Sequence, residues 1–257
     1  MKRSLTWITL LSLLLVSSAA LCQEDPLKAK VVEIEKAYIA GDLAAIVTKY
    51  EALAAENPND AAGRYLLGIA YLYADFTKET ATFDKSFDEF IKAKTLDPKM
   101  KYVNNSLAYV FWARGQYDKA IEFYKAEIAL DPTYGWNYYN LGKAYADLKQ
   151  WDKAKSQYII AIDKEKKDPR IAKAYNNLGE IYMEWYGDYF KALDNFKKAV
   201  ELKPTERLYI ENYNVTIKKL RDLKDSLDKG QTNLPPETVD RLKKMDLKEI
   251  EIDTEGT

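Results

Sequence analysis

Residues 138–145 read Tyr138-Tyr139-Asn140-Leu141-Gly142-Lys143-Ala144-Tyr145, and the core of this run recurs along the chain. Leucine, a small residue and, four positions after the leucine, an aromatic return as Leu67-Gly68 with Tyr71, Leu107-Ala108 with Phe111, and Leu178-Gly179 with Tyr182. Residues four apart share one face of a helix, so leucine and ring point the same way, and the small residue lets a neighbouring helix come close. A second pair follows each run: Ser86 and Phe90, Ala120 and Tyr124, Ala154 and Tyr158, Ala192 and Phe196. It opens a second helix in every unit with the same device, a small residue meeting a small residue and an aromatic one turn on.

Prolines punctuate these units. Pro58, Pro98, Pro132, Pro169 and Pro204 stand 40, 34, 37 and 35 residues apart. Each follows a similar ending: Asn57, Asp97, Asp131, Asp168 or Lys203 directly before the proline. Proline disfavours helical geometry in the residue before it, so each ending closes one helix and starts the next. A period of this size is the mark of stacked repeats.

Together these motifs resemble the tetratricopeptide repeat family, whose unit is a pair of antiparallel helices carrying Trp-x2-Leu-Gly-x2-Tyr, then Ala-x3-Phe, then Pro. The family's tryptophan is replaced here by Arg64, Asn104, Tyr138 and Tyr175, and Ser86 stands for one alanine. The resemblance implies an all-α, right-handed solenoid of four to five helix pairs. Units are expected at residues 61–98, 99–132, 133–169 and 170–204, after a tether and degenerate first repeat at residues 23–60. Extra residues around 75–83, 164–167 and Gly187 are placed in turns, where added length costs little closure entropy; the first either lengthens its helices or makes a loop. Leu208, Tyr209, Tyr213, Ile217, Leu220 and Leu223 give residues 205–230 the apolar stripe of a capping helix. Residues 231–257 are expected to form a partly disordered tail with a short helix from Glu237 to Met245.

Of the 257 residues, 47% are hydrophobic, enough for a continuous core. Lys and Arg number 39 against 40 Asp and Glu, without the positive excess of a nucleic-acid scaffold. There is no histidine. The usual general base, the commonest metal ligand and the Ser-His and Cys-His nucleophiles are therefore missing, so the chain is not expected to be an enzyme or to carry a metal or cofactor. Glu180 and Glu184 could share a helix face as paired carboxylates, but no segment outside the repeats is long enough for a catalytic domain.

The first 22 residues read as an export signal: Lys2 and Arg3, an apolar run from Leu5 to Val16, then Ser17, Ser18, Ala19 and Ala20. The apolar run is shorter than the ~20 residues that span a bilayer. Cleavage falls after Ala20 or after Cys22. The single cysteine, Cys22, occupies the place of an acylated residue in a bacterial lipoprotein, although Leu21 before it is bulkier than such signals carry. Cys22 is thus either a lipidation site, the one expected route of membrane contact, or a residue at the edge of a cleaved signal.

By the resemblance, the first helix of each unit lines a concave groove with exposed positions two, five, nine and twelve residues from the unit start. These are Tyr65, Ile69 and Leu72; Tyr102, Asn105, Tyr109 and Trp112; Trp136, Tyr139 and Lys143; and Lys173, Asn176 and Glu180, with Asn140 and Asn177 directly before their leucines. Rings supply contact area and amides bond main-chain groups, a mixture suited to an extended peptide or a partner's helix. The alternative is that these rings pack between neighbouring helices. Some family members hold a partner's C-terminal carboxylate; only Asn140 and Lys173 match that clamp, so carboxylate capture is not expected. The expected function is an exported scaffold binding a protein or peptide in bacterial envelope assembly or maintenance. A second reading is an oligomeric accessory of periplasmic solute uptake.

Overall fold

The computed structural model describes residues 25–77 and 82–251, and every regular element among them is helical. In chain order the α-helices are α1 Pro26–Ala40, α2 Leu43–Glu56, α3 Ala61–Phe76, α4 Asp84–Leu96, α5 Val103–Ala113 and α6 Tyr117–Leu130. They continue as α7 Gly135–Asp147, α8 Trp151–Lys164, α9 Ala172–Glu180, α10 Tyr189–Leu202, α11 Arg207–Asp228 and α12 Pro236–Lys244. The fold is all-α and built of consecutive helix pairs. No described helix is long and apolar enough to cross a membrane. The segment expected to be an export signal, residues 1–22 with Cys22, lies outside the described residues, as do residues 78–81 of the first insertion. The chain divides into two compact units, the first ending at Leu148 and the second starting at Lys149.

The recurring Asp-Pro has a defined local structure. Asp97 accepts the Lys99 N–H at 3.0 Å, Asp131 that of Thr133 at 3.1 Å, and Asp168 that of Arg170 at 2.9 Å. In each case proline sets the φ of the middle residue and the aspartate oxygen closes the turn. The same aspartate chemistry starts α1, where Asp25 accepts the Leu27 N–H at 3.0 Å and Pro26 occupies the first turn.

In the first unit, α3 and α4 meet where Gly68 faces Phe90: a Cβ on Gly68 would fall 2.6 Å from the ring. The small residue of the first helix therefore receives the aromatic of the second, rather than another small residue. Ile34, Leu66, Ile69, Leu72, Phe90 and Leu107 are all shut off from solvent around this contact. α5 begins at Tyr102, whose φ of +72° places a non-glycine residue in the left-handed region. Buried Glu127 from α6 accepts the Tyr102 N–H at 2.6 Å and compensates that start. Burial pushes the Glu127 carboxyl up, against the pull of the Tyr102, Asn104 and Asn105 amides.

The second unit repeats the contact between α9 and α10, with Gly179 against Phe196 at 2.7 Å from a would-be Cβ. The extra residue near Gly187 does not lengthen a turn as expected. It is absorbed within the helix by a π-turn, Ile181–Trp185, in which Tyr186 N–H reaches the Ile181 carbonyl five residues back. The extra residues around 164–167 do fall in a turn, which leads into a 3-10 turn at Pro169–Ile171. In the C-terminal segment the short helix α12 is present, and residues 252–257 of the expected tail lie outside the described residues. Leu242 of α12 is fully buried with Leu193, Ile217 and Leu220, and residues 245–250 lie along α11.

Candidate functional site

In the first unit the helices α3, α5 and α7 contribute to one shared face. Tyr65 comes from α3, and Ser106 of α5 donates to its hydroxyl at 3.4 Å. Asn105 donates to the Asn137 side-chain oxygen at 2.7 Å, and Asn140 donates to that of Asn105 at 3.3 Å. Phe76 meets Tyr109 edge-on at 5.9 Å, Tyr109 lies 5.6 Å from Trp112, and Trp136 lies 5.5 Å from Tyr139. The polar and aromatic residues read from the sequence are thus brought together. They are not, however, the exposed strip that the resemblance implies.

Tyr65, Tyr109, Trp136 and Tyr139 retain 0%, 4%, 1% and 3% of their exposure, and Asn105, Asn140, Ile69 and Leu72 are buried too. The physical reason is reach. These side chains are long enough to touch the next first helix, so they fill the space between helices instead of lining an open one. Their hydroxyls are accordingly hard to ionise: burial drives Tyr65, Tyr73 and Tyr109 well above the ordinary tyrosine range. Tyr109 Oη is also buried without a hydrogen-bond partner.

Two edges of the face stay accessible. At one, Lys143 Nζ sits 4.2 Å from the centre of the half-buried Trp112 ring, and Trp112 Nε1 donates to Asp147 at 2.5 Å. A ring, a cation and a carboxylate, all within reach of solvent, form one contact patch. At the other edge Tyr102 donates to Asp25 at 2.8 Å and lies 6.5 Å from Tyr134, while Lys28 Nζ stands 5.5 and 5.4 Å from the two rings. The start of α1 therefore covers Tyr102. Asp25, Lys28, Tyr134 and Asp147 were not among the sequence candidates, because none holds a repeated motif position.

In the second unit, α9 carries Lys173, Asn176 and Asn177. Buried Asn176 donates to Glu180 at 2.8 Å, and Asn212 of α11 donates to Asn176 at 2.9 Å and to Glu180 at 3.2 Å. Asn177 donates to Tyr158 at 3.2 Å. The amides are thus engaged within the unit. Glu180 is pushed up by burial, with Glu184 adding to the effect. Half-buried Lys173 is brought down to about 8, first by desolvation and then by Lys203 and Arg170.

Comparison with known proteins agrees with this architecture. Tetratricopeptide repeat models match residues 85–134, 111–178 and 172–206. The chain is a tetratricopeptide repeat protein over that stretch. It is similar to the mouse BBSome complex member BBS4, 29% identical over 134 residues that make up 52% of this chain and 25% of that protein. It is also similar to the heat shock protein STI1 of Saccharomyces cerevisiae, 30% identical over 131 residues, 50% of this chain and 22% of that one. The chain spans about a quarter of the length of these curated relatives. Among solved structures, the crystal structure of MamA aligns with a TM-score of 0.55 at 25% identity, covering 66% of this chain and 94% of that one.

Proposed function

We propose that this chain is an exported scaffold that holds a protein or peptide partner, and that Trp112, Lys143 and Asp147 form its contact patch. One observation carries the reading. On a face whose central rings, Tyr65, Tyr109, Trp136 and Tyr139, are buried, this edge keeps an aromatic, a cation and a carboxylate together and open to solvent, with no other described helix start laid over them as α1 is over Tyr102. Large amphipathic rings with charged neighbours are the groups that dominate protein interfaces. The buried residues Tyr65, Asn105, Tyr109, Trp136, Tyr139 and Asn140 act as the support that fixes the patch in place. A relative named as a BBSome complex member is in keeping with a binding role.

Export rests on the basic start at Lys2 and Arg3, the apolar run to Val16 and the small residues that follow. A lipid on Cys22 would tether the scaffold at a membrane, and envelope assembly or maintenance is the process we assign to it. The test is site-specific photo-crosslinking from position 112 in intact cells. One discrete partner adduct is expected, lost when Lys143→Glu is added while helix content is unchanged. An adduct pattern indifferent to Lys143→Glu would count against the patch.

A further inference from the structure

The tail of the second unit is held in a way that covering a helix does not require. Asn214 of α11 donates from Nδ2 to the Ile250 carbonyl at 2.7 Å, and its Oδ1 accepts the Ile250 N–H at 2.8 Å. Arg221, two turns further along the same helix, donates from Nε to the Leu247 carbonyl at 2.9 Å and from Nη2 at 2.5 Å, and its Nη1 pairs with Glu249. Seven helical residue steps lead from one reader to the other, about 10 Å of rise. Three extended residue steps lead from Leu247 to Ile250, again about 10 Å. The spacing of α11 side chains therefore matches the repeat of an extended peptide.

The tail's own residues sort in the same way. Leu247 packs into the cluster of Leu193, Ile217, Leu220 and Leu242, and Ile250 packs against the cluster of Ala172, Val200, Tyr209 and Ile210. Asp246 and Lys248 are exposed and pair with each other, while Glu249, also open to solvent, pairs with Arg221. Main-chain groups are thus read by a side-chain amide and a guanidinium, two pockets take apolar side chains three apart, and one cation selects an acid between them. That is the logic of extended-peptide recognition, in which main-chain bonds give affinity and pockets give selectivity. None of the partner-contact residues named above takes part.

We propose that this face of α11 is a peptide-recognition site that residues 245–250 keep occupied in cis, and that its ligand in trans is an extended peptide with an apolar residue, any residue, an acid and an apolar residue in succession. Leu247-Lys248-Glu249-Ile250 is the template for that ligand. The tail is tethered through residues 229–235, with Gly230 at a φ of +67°, so it competes at high effective concentration. A free peptide gains access only as the tail leaves, and occupancy becomes a switch.

The probe is a fluorophore-labelled peptide of residues 245–251, titrated by anisotropy against three full-length chains. Leu247→Asp with Ile250→Asp releases the tail and leaves the site intact; it is expected to bind the probe at least tenfold more tightly than the unsubstituted chain. Adding Asn214→Ala and Arg221→Ala to that variant is expected to abolish binding. Equal binding by all three, or none by the released variant with its helix content retained, would overturn the proposal. As a check without tail substitutions, excess unlabelled peptide should accelerate hydrogen exchange at the Ile250 amide of the unsubstituted chain; no acceleration at millimolar peptide would also overturn it. A micromolar dimer that the peptide converts to monomer would overturn it too, in favour of tails exchanged between copies.

Discussion

Gly179 and Phe196 are in such close contact that a methyl group on the glycine would lie 2.7 Å from the ring's Cε1. The ring is fully buried and cannot swing away. Overpacking of this kind costs about 1–3 kcal/mol, more than the roughly 0.5–1 kcal/mol that alanine returns in helix propensity. Gly179→Ala should therefore lower the urea midpoint of the second unit, measured by circular dichroism. An unchanged or higher midpoint would show that the contact is looser than described.

Tyr109 supports the opposite expectation. Its ring is buried but its hydroxyl has no partner, and an unsatisfied buried group costs about 1–3 kcal/mol. Tyr109→Phe should leave stability unchanged or raise it by about 1 kcal/mol. Tyr109→Ala should lower it by about 3–5 kcal/mol, the usual loss for a buried ring. Alanine substitutions at Tyr109 or Trp136 thus measure packing, and binding is better tested at the accessible edge. Denaturant midpoints of the two Tyr109 variants would check this directly.

Lys173 gives a pH dependence with a definite sign. In the folded chain it holds its proton less tightly than the ordinary value of 10.5, at about 8, because burial and then Lys203 and Arg170 oppose its charge. Its penalty is present below about 8 and is relieved as pH rises from there toward 10.5. Lys173→Met should stabilise the chain by about 1–2 kcal/mol at pH 7 after allowance for solvent screening, with the advantage fading by pH 10. Thermal melts of both chains at pH 7 and pH 10 would reveal it, and a constant difference would contradict it.

Glu127 works in the other pH range. Its folded carboxyl holds the proton more tightly than an ordinary glutamate, mainly through burial. The stability it contributes is present at low pH and is lost as pH climbs through its ordinary value toward the folded one. Glu127→Gln keeps an acceptor for the Tyr102 N–H and removes the charge. Urea midpoints at pH 4, 5.5 and 7 should therefore vary less in the variant, and the unsubstituted chain should gain on it as pH falls.

Part of this molecule is legible from its sequence for a simple reason. Gly68, Phe90, Gly179, Phe196 and the aspartates before Pro98, Pro132 and Pro169 act through neighbours that recur with the repeat, so their spacing reveals the helix pairs. Whether a ring at a groove position points outward or bridges to the next helix depends on side-chain reach, which the repeat pattern does not encode. Tyr109 and Trp136 are buried for that reason, while Trp112 remains accessible. Asn214 and Arg221 resemble ordinary polar helix residues because their partners, Ile250 and Leu247, lie in a tail that carries none of the repeated motifs. The π-turn at Ile181–Trp185 is hidden likewise: one added residue within a helix and one added to a turn look alike in a repeat count.

A partner resting on Trp112, Lys143 and Asp147 would meet any change of charge at position 143. Once the adduct from position 112 has been identified, the most direct measurement is the affinity of that partner for the purified chain and for its Lys143→Glu variant, by calorimetry at matched helix content. A loss of at least tenfold is predicted, because the reversed charge removes the cation from the Trp112 ring and places a second acid beside Asp147. Equal affinity for the two chains would show that the partner does not rest on this patch.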